Sequence, residues 1–202
     1  MLKRLSLALC AAMPLFAAAP AHSQNTIADI VVRASGGATA GTFDRNWLDY
    51  DILLNALTTA NLVGAVADPN ASLTVFAPSD FAFFLLARDL GYTGTSEEGT
   101  WNFLVAALTQ LGNGNPVPIL TNVLLYHVAP GVVGPIDLFV KTLRRENIDT
   151  LLAGATIRPL FLQLIDNDPQ LRNPFVTAPL NLRASNGVIH GVTRVLIPVD
   201  LP

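Results

Sequence analysis

The sequence predicts an α+β fold with a helical first half and a strand-rich second half. Three observations carry that expectation. Apolar residues recur at helical spacing as far as Leu125. Beyond Val128, Pro and Gly recur and β-type runs replace the helical stripes. Strands and helices do not alternate along the chain as a parallel α/β sheet requires, and segregated elements favour α+β. The chain has 202 residues, of which 51% are hydrophobic and 13% charged, enough to bury a core and too apolar for disorder. No internal repeat divides it, so one domain is expected over residues 24–202.

Residues 1–23 read as a signal peptide. Lys3 and Arg4 are followed by an uncharged run from Leu5 to Ala21, broken by Pro14. Small residues allow cleavage before His22 or before Gln24. A membrane anchor is the competing reading, but the run is short for a span and interrupted by proline. Acylation at Cys10 is disfavoured because Cys10 lies inside the apolar run behind the bulky Leu9. Cleavage removes the single cysteine, so the mature domain holds neither disulfides nor thiolate metal sites. No later apolar run is long enough to span a bilayer, so the expectation is a secreted or periplasmic protein without a transmembrane segment.

Residues 25–34 form a short helix with Asn25 or Thr26 as cap. Residues 35–42 are a Gly/Ala/Thr loop. In the helix over residues 50–60, Leu53, Leu54, Leu57 and Ala60 share a face. A short turn follows through Leu62, Val63 and Val66. Leu73 to Ala77 is a strand ended by Pro78, and Ser79 caps the next helix, which runs to about Leu90. Trp101, Leu104, Val105, Leu108 and Leu111 give the helix over 97–111 a buried stripe. Gly112 to Pro116 breaks it, and Ile119 to Leu125 is helical again. The β-type runs are 155–165, 175–184, 188–190 and 194–197. Asn186-Gly187 predicts a hairpin turn with positive φ, whereas Asn181 carries no such requirement.

The chemistry-bearing patterns are few. The net charge of −3 excludes a basic, phosphate-binding surface, so nucleic acid is not an expected partner. The P-loop, dinucleotide, zincin and nucleophile-elbow motifs are all missing. No enzyme activity and no cofactor are therefore expected.

Three segments, in order, resemble the fasciclin-like domain family. They are Leu73-Thr-Val-Phe-Ala-Pro-Ser-Asp80 with Phe81-Ala-Phe83, then Leu124-Leu-Tyr-His-Val-Ala-Pro-Gly131, then Ala184-Ser-Asn-Gly-Val-Ile-His-Gly-Val-Thr-Arg-Val-Leu-Ile-Pro198. The resemblance implies a wedge of about seven β-strands with helices packed on one side. It also implies a secreted, non-enzymatic adhesion module, with extracellular matrix, polysaccharide or a cell-surface protein as partner. In the family the Tyr-His pair, here Tyr126 and His127, is tied to adhesion. Integrin contact in some animal members uses an acid where this chain has Asn181, and no Arg-Gly-Asp occurs.

The residues themselves offer bland alternatives. His127 and His190 can be buried imidazoles bonded to backbone. Pro78, Ser79, Asn186 and Gly187 read as structural. Asp44, Asn46, Asp49 and Asp51 present four oxygen side chains within eight residues, which suits calcium, but Asp49 or Asp51 can equally cap the following helix. Asp166-Asn-Asp168-Pro169 reads as a turn. Phe81, Phe83, Phe84, Leu85 and Leu86 are too many apolar residues for one helical stripe. They imply deep burial or a cavity, hence the alternative of a carrier for an apolar small molecule such as a pigment.

Overall fold

A computed structural model describes residues 25–36 and 41–199. The expected signal peptide and Cys10 lie outside them. The element order is α1 (Ile27–Ala34), α2 (Asp51–Thr59), α3 (Val63–Ala67), β1 (Leu73–Pro78), α4 (Asp80–Asp89), α5 (Glu97–Leu111), α6 (Val117–Tyr126), β2 (Val128–Pro130), α7 (Pro135–Arg144), β3 (Ile148–Asp149), β4 (Thr156–Leu160), β5 (Gln163–Ile165), β6 (Val176–Ala184) and β7 (Gly187–Val192). This is the expected α+β arrangement, with helices early and strands late.

The larger sheet has the order β2-β1-β7-β6, and β3-β4-β5 form a smaller one. β1 pairs in parallel with β7 and antiparallel with β2. As an inner strand it is buried along its whole length. Its alternate residues therefore serve two cores. Leu73, Val75 and Ala77 face a cluster built with α1, α2, α4, α5 and α6. Phe76 joins Tyr126, Leu138, Ile148, Ile157, Leu164 and Val176 in a second cluster towards the small sheet.

Several sequence expectations need correction. The run 155–165 is two strands joined by a two-residue turn, Phe161-Leu162, with Leu160 paired to Gln163. Residues 194–197 are not a strand. Two of their amides go to side chains instead, Leu196 N–H to His127 Nε2 at 2.9 Å and Ile197 N–H to Asp166 Oδ2 at 2.9 Å. Ser79 sits at the N-cap of α4 without a side-chain cap. The amides of the first turn find backbone carbonyls instead: Asp80 N–H donates to Asp49 O and Phe81 N–H to Trp47 O, both in the loop before α2, and Ala82 N–H to the carbonyl of Ser79 itself.

The two asparagines exchange roles. Asn186 is buried and is not among the residues with positive φ. Its Oδ1 accepts from Ile27 N–H at 2.9 Å, and its Nδ2 donates to the carbonyls of Val66 and Asp68, both at 2.9 Å. It ties α1 and the end of α3 to the hairpin. The positive φ belongs to Gly187, at 152°, where a side chain would collide with the Leu73 carbonyl. Asn181, expected to be unconstrained, has φ 58° in an irregular stretch of β6.

Helix α7 has no counterpart in the sequence reading. Its signals were present: Pro135 at the first position, Asp137 accepting from Gly134 N–H, and apolar residues at 136, 139 and 143.

Candidate functional site

Three helices start at one place, and each starts with an acid. Asp51 opens α2, Asp80 opens α4 and Glu97 opens α5. The loop before α2 holds them together. Asp44 Oδ1 accepts from Asn46 N–H at 2.8 Å, and Arg45, at φ 79°, directs its N–H to Glu97 Oε2 at 2.8 Å. The Ile52 amide, in the first turn of α2, donates to Asp80 Oδ1 at 2.9 Å. The cap of α2 therefore comes from Asp80, and neither Asp49 nor Asp51 supplies it.

The result is a buried acidic cluster. Asp49, Asp51, Asp80 and Glu97 are 0–4% exposed, while Asp44 is open to solvent. Oxygens of Asp44, Asp51 and Glu97 lie within 4.8 Å of one another, and so do those of Asp49, Asp51 and Asp80. Among the described residues, the buried side-chain oxygens without a hydrogen-bond partner are Asp49 Oδ1, Asp51 Oδ1, Asp80 Oδ2 and Glu97 Oε1, all in this cluster. The ion pairs among the described residues lie elsewhere.

Burial, reinforced by neighbouring carboxylates, pushes Asp51 up to about 6 and Asp80 up to about 8. Asp49 and Glu97 move the same way, again chiefly by burial. Three helix N-termini offset part of the negative charge. Asn46 lies at the edge of the cluster: its carbonyl accepts from Asp49 N–H at 3.1 Å, its side chain helps to hold the Asp49 carboxylate, and its Oδ1 accepts a long 3.4 Å bond from Leu48 N–H. The sequence reading thus found Asp44, Asp49 and Asp51. It missed Asp80 and Glu97, whose positions at helix starts were the available signal.

Tyr126 and His127 lie inside the protein. The Tyr126 hydroxyl donates to Thr156 O at 2.9 Å, and burial raises its pKa. His127 Nδ1 bonds Val123 O at 2.8 Å while Nε2 accepts from Leu196 N–H, so the ring is a neutral Nδ1–H tautomer. Full burial lowers its pKa to about 4. His190 is held alike, with Nε2 on Val133 O at 2.8 Å, Nδ1 accepting from Asn181 N–H at 3.2 Å, and its ring stacked on Phe76. Burial also lowers its pKa. Neither Tyr126 nor His127 presents a face to a partner. Any part they take in binding passes through the backbone they hold.

Two apolar features complete the inventory. A cavity of about 320 Å³ lies between α4, α5, α6 and the closing segment, lined by Phe83, Leu86, Trp101, Leu104, Leu108 and Ile197 among others. Of the aromatic cluster singled out in the sequence, Phe83 and Leu86 reach it, whereas Phe84 packs on Trp47 and Phe81. The second feature is on the surface. Ile136, Phe139 and Leu143 form the outer stripe of α7, and Ile136 and Leu143 are 77% and 64% exposed. The Phe161 ring, 52% exposed, lies 5.8 Å from that of Phe139. Thr142 Oγ1 accepts from Phe161 N–H at 2.8 Å, fastening the β4–β5 turn to the helix.

The fasciclin domain family model matches residues 48–198. Among solved structures, the FAS1 domain pair from the insect cell adhesion molecule fasciclin I superposes with a TM-score of 0.57 at 11% identity. That alignment covers 87% of this chain and 51% of the insect one, so this chain spans about half of its length. At that identity the likeness bears on the fold.

Proposed function

Because the chain belongs to the fasciclin domain family, we propose that it is a secreted or periplasmic, non-enzymatic adhesion module that binds a cell-surface or matrix protein. Residues 1–23 act as its leader and residues 24–202 as one domain. The observation that carries the reading is the apolar surface of Ile136, Phe139, Leu143 and Phe161. A contiguous exposed apolar patch on a folded domain marks an interaction surface. The turn strengthens this. Two-residue hairpin loops favour Asn-Gly, yet here Phe161 takes φ 56° with its ring outward. A phenylalanine in that conformation costs about 1–2 kcal/mol locally, an expense that folding alone does not require.

The test is retention of the exported protein, immobilised on beads, by whole cells and by isolated envelope of its host. Wild type is expected to bind, and Phe139→Ser with Leu143→Asp is expected to lose binding while keeping its fold. Retention by protease-treated cells or by purified polysaccharide alone would oppose a protein partner.

The second reading, a carrier for an apolar small molecule, has one observation in its favour. The 320 Å³ cavity lies within the size range of small-molecule sites and is lined almost wholly by apolar side chains.

A further inference from the structure

We propose that Asp44, Asp49, Asp51, Asp80 and Glu97 form a calcium site where the N-termini of α2, α4 and α5 converge. This stands apart from the apolar surface and needs no partner protein.

Four of the five residues are almost completely buried, and each of those four has one carboxylate oxygen that no amide or hydroxyl donor reaches; Asp49 and Asp80 can be relieved only by sharing a proton with each other, and Asp51 and Glu97 not even in that way. A buried carboxylate oxygen without a donor is strongly unfavourable. Here the unpartnered oxygens fall within one cluster instead of scattering. Carbon-bound oxygen is also the only donor type present, which selects hard cations.

The spacing fits as well. Ligand oxygens on opposite sides of Ca²⁺ sit about 4.6–5.2 Å apart, twice the metal–oxygen distance. Both carboxylate triads stay within 4.8 Å, and Asp51 belongs to both. Magnesium prefers to keep several waters and few carboxylates, so a carboxylate-rich cage favours calcium. Asp44, exposed above the buried four, gives the ion a way in. Waters complete the coordination.

The probes are Tb³⁺, which substitutes for calcium, and Ca²⁺ itself. Trp47 and Tyr50 lie in the loop and can sensitise Tb³⁺ emission. Chelator-treated protein is expected to give sensitised emission that Ca²⁺ displaces. Its melting temperature is expected to rise by about 5–10 °C at a hundredfold excess over the dissociation constant. Extracellular modules bind calcium at about 10⁻⁴–10⁻³ M, so a hundredfold excess requires a titration to about 100 mM at constant ionic strength. Asp51→Asn with Glu97→Gln should abolish both signals. The amides are isosteric and relieve like-charge repulsion, so the metal-free variant should melt no lower than wild type. Absence of emission and of a calcium shift in the wild-type protein would overturn the site, whatever the variant does. An equal shift with Mg²⁺, or an unaltered response in the double variant, would overturn the assignment.

Discussion

The amide of Ile52 donates to Asp80 Oδ1 at 2.9 Å, so the first residue of α4 caps α2 across 28 residues of chain. Asp80 in turn hangs from the Asp49 carbonyl by its own amide. The contact joins the loop before α2 to the strand–proline–helix segment that resembles the family's first signature block.

Replacing Asp80 separates the cap from the charge. Asp80→Asn keeps an acceptor for Ile52. Burial pushes Asp80 up to about 8, so at pH 7 its carboxyl is largely neutral in the folded chain but ionised in the unfolded one. The amide needs no such proton uptake, so its metal-free melting temperature should match wild type below the ordinary value of 3.8 and exceed it increasingly as pH rises to about 8. Asp80→Leu keeps the bulk and orphans the amide, which should cost about 1–3 kcal/mol. Thermal melts in chelator check the order, and equal melting of the two variants would contradict it.

Asn186→Ala should be among the most destabilising polar substitutions. Three hydrogen bonds from one buried side chain are lost, and an expected cost above about 3 kcal/mol follows. Asn181→Ala should cost about 1 kcal/mol, from positive φ alone, and Asn181→Gly still less. Urea unfolding of the three variants provides the comparison.

His127 predicts a pH dependence. Its folded pKa of about 4 lies below the ordinary value of 6.5. The unfolded chain therefore binds its proton first, and the stability it contributes is full above pH 6.5 and is lost as pH falls towards 4. The loss amounts to about 3 kcal/mol. Asp166, pushed up to about 6 by burial, opposes this in the same window. The difference between wild type and His127→Gln isolates the imidazole. Parallel stability curves from pH 7 to pH 4 would contradict the assignment.

The cavity makes its own prediction. Native wild-type protein should enhance the fluorescence of an apolar dye, and Leu108→Trp, which places an indole among the lining residues, should suppress that enhancement. A variant that binds dye as well as wild type would count against the carrier reading.

The sequence was most legible where local pattern and packing agree. The stripe of Trp101, Leu104 and Leu108 located α5 at its observed limits, and Thr26 with Asp29 forms a capping box that starts α1. It was least legible where partners are distant in the chain. Ser79 and Asn186 have the residue types of a cap and a turn, but carbonyls of the 44–51 loop satisfy the start of α4, and Asn186 spends its amide on Ile27, Val66 and Asp68. For the same reason the acidic cluster was half visible. Asp44, Asp49 and Asp51 are neighbours in sequence, while Asp80 and Glu97 reach them only through tertiary packing. Leu160-Phe161-Leu162 read as strand because nothing local announces a turn in those residues.

Phe161→Gly decides whether the apolar surface on α7 and the β4–β5 turn is a binding site. Glycine accepts φ 56° without strain, so the melting temperature should stay within about 2 °C of wild type or rise. Retention on host envelope, measured on the same preparation, should fall at least tenfold, as expected for an aromatic anchor. Undiminished retention, or a loss of binding that only follows a loss of fold, would contradict the account.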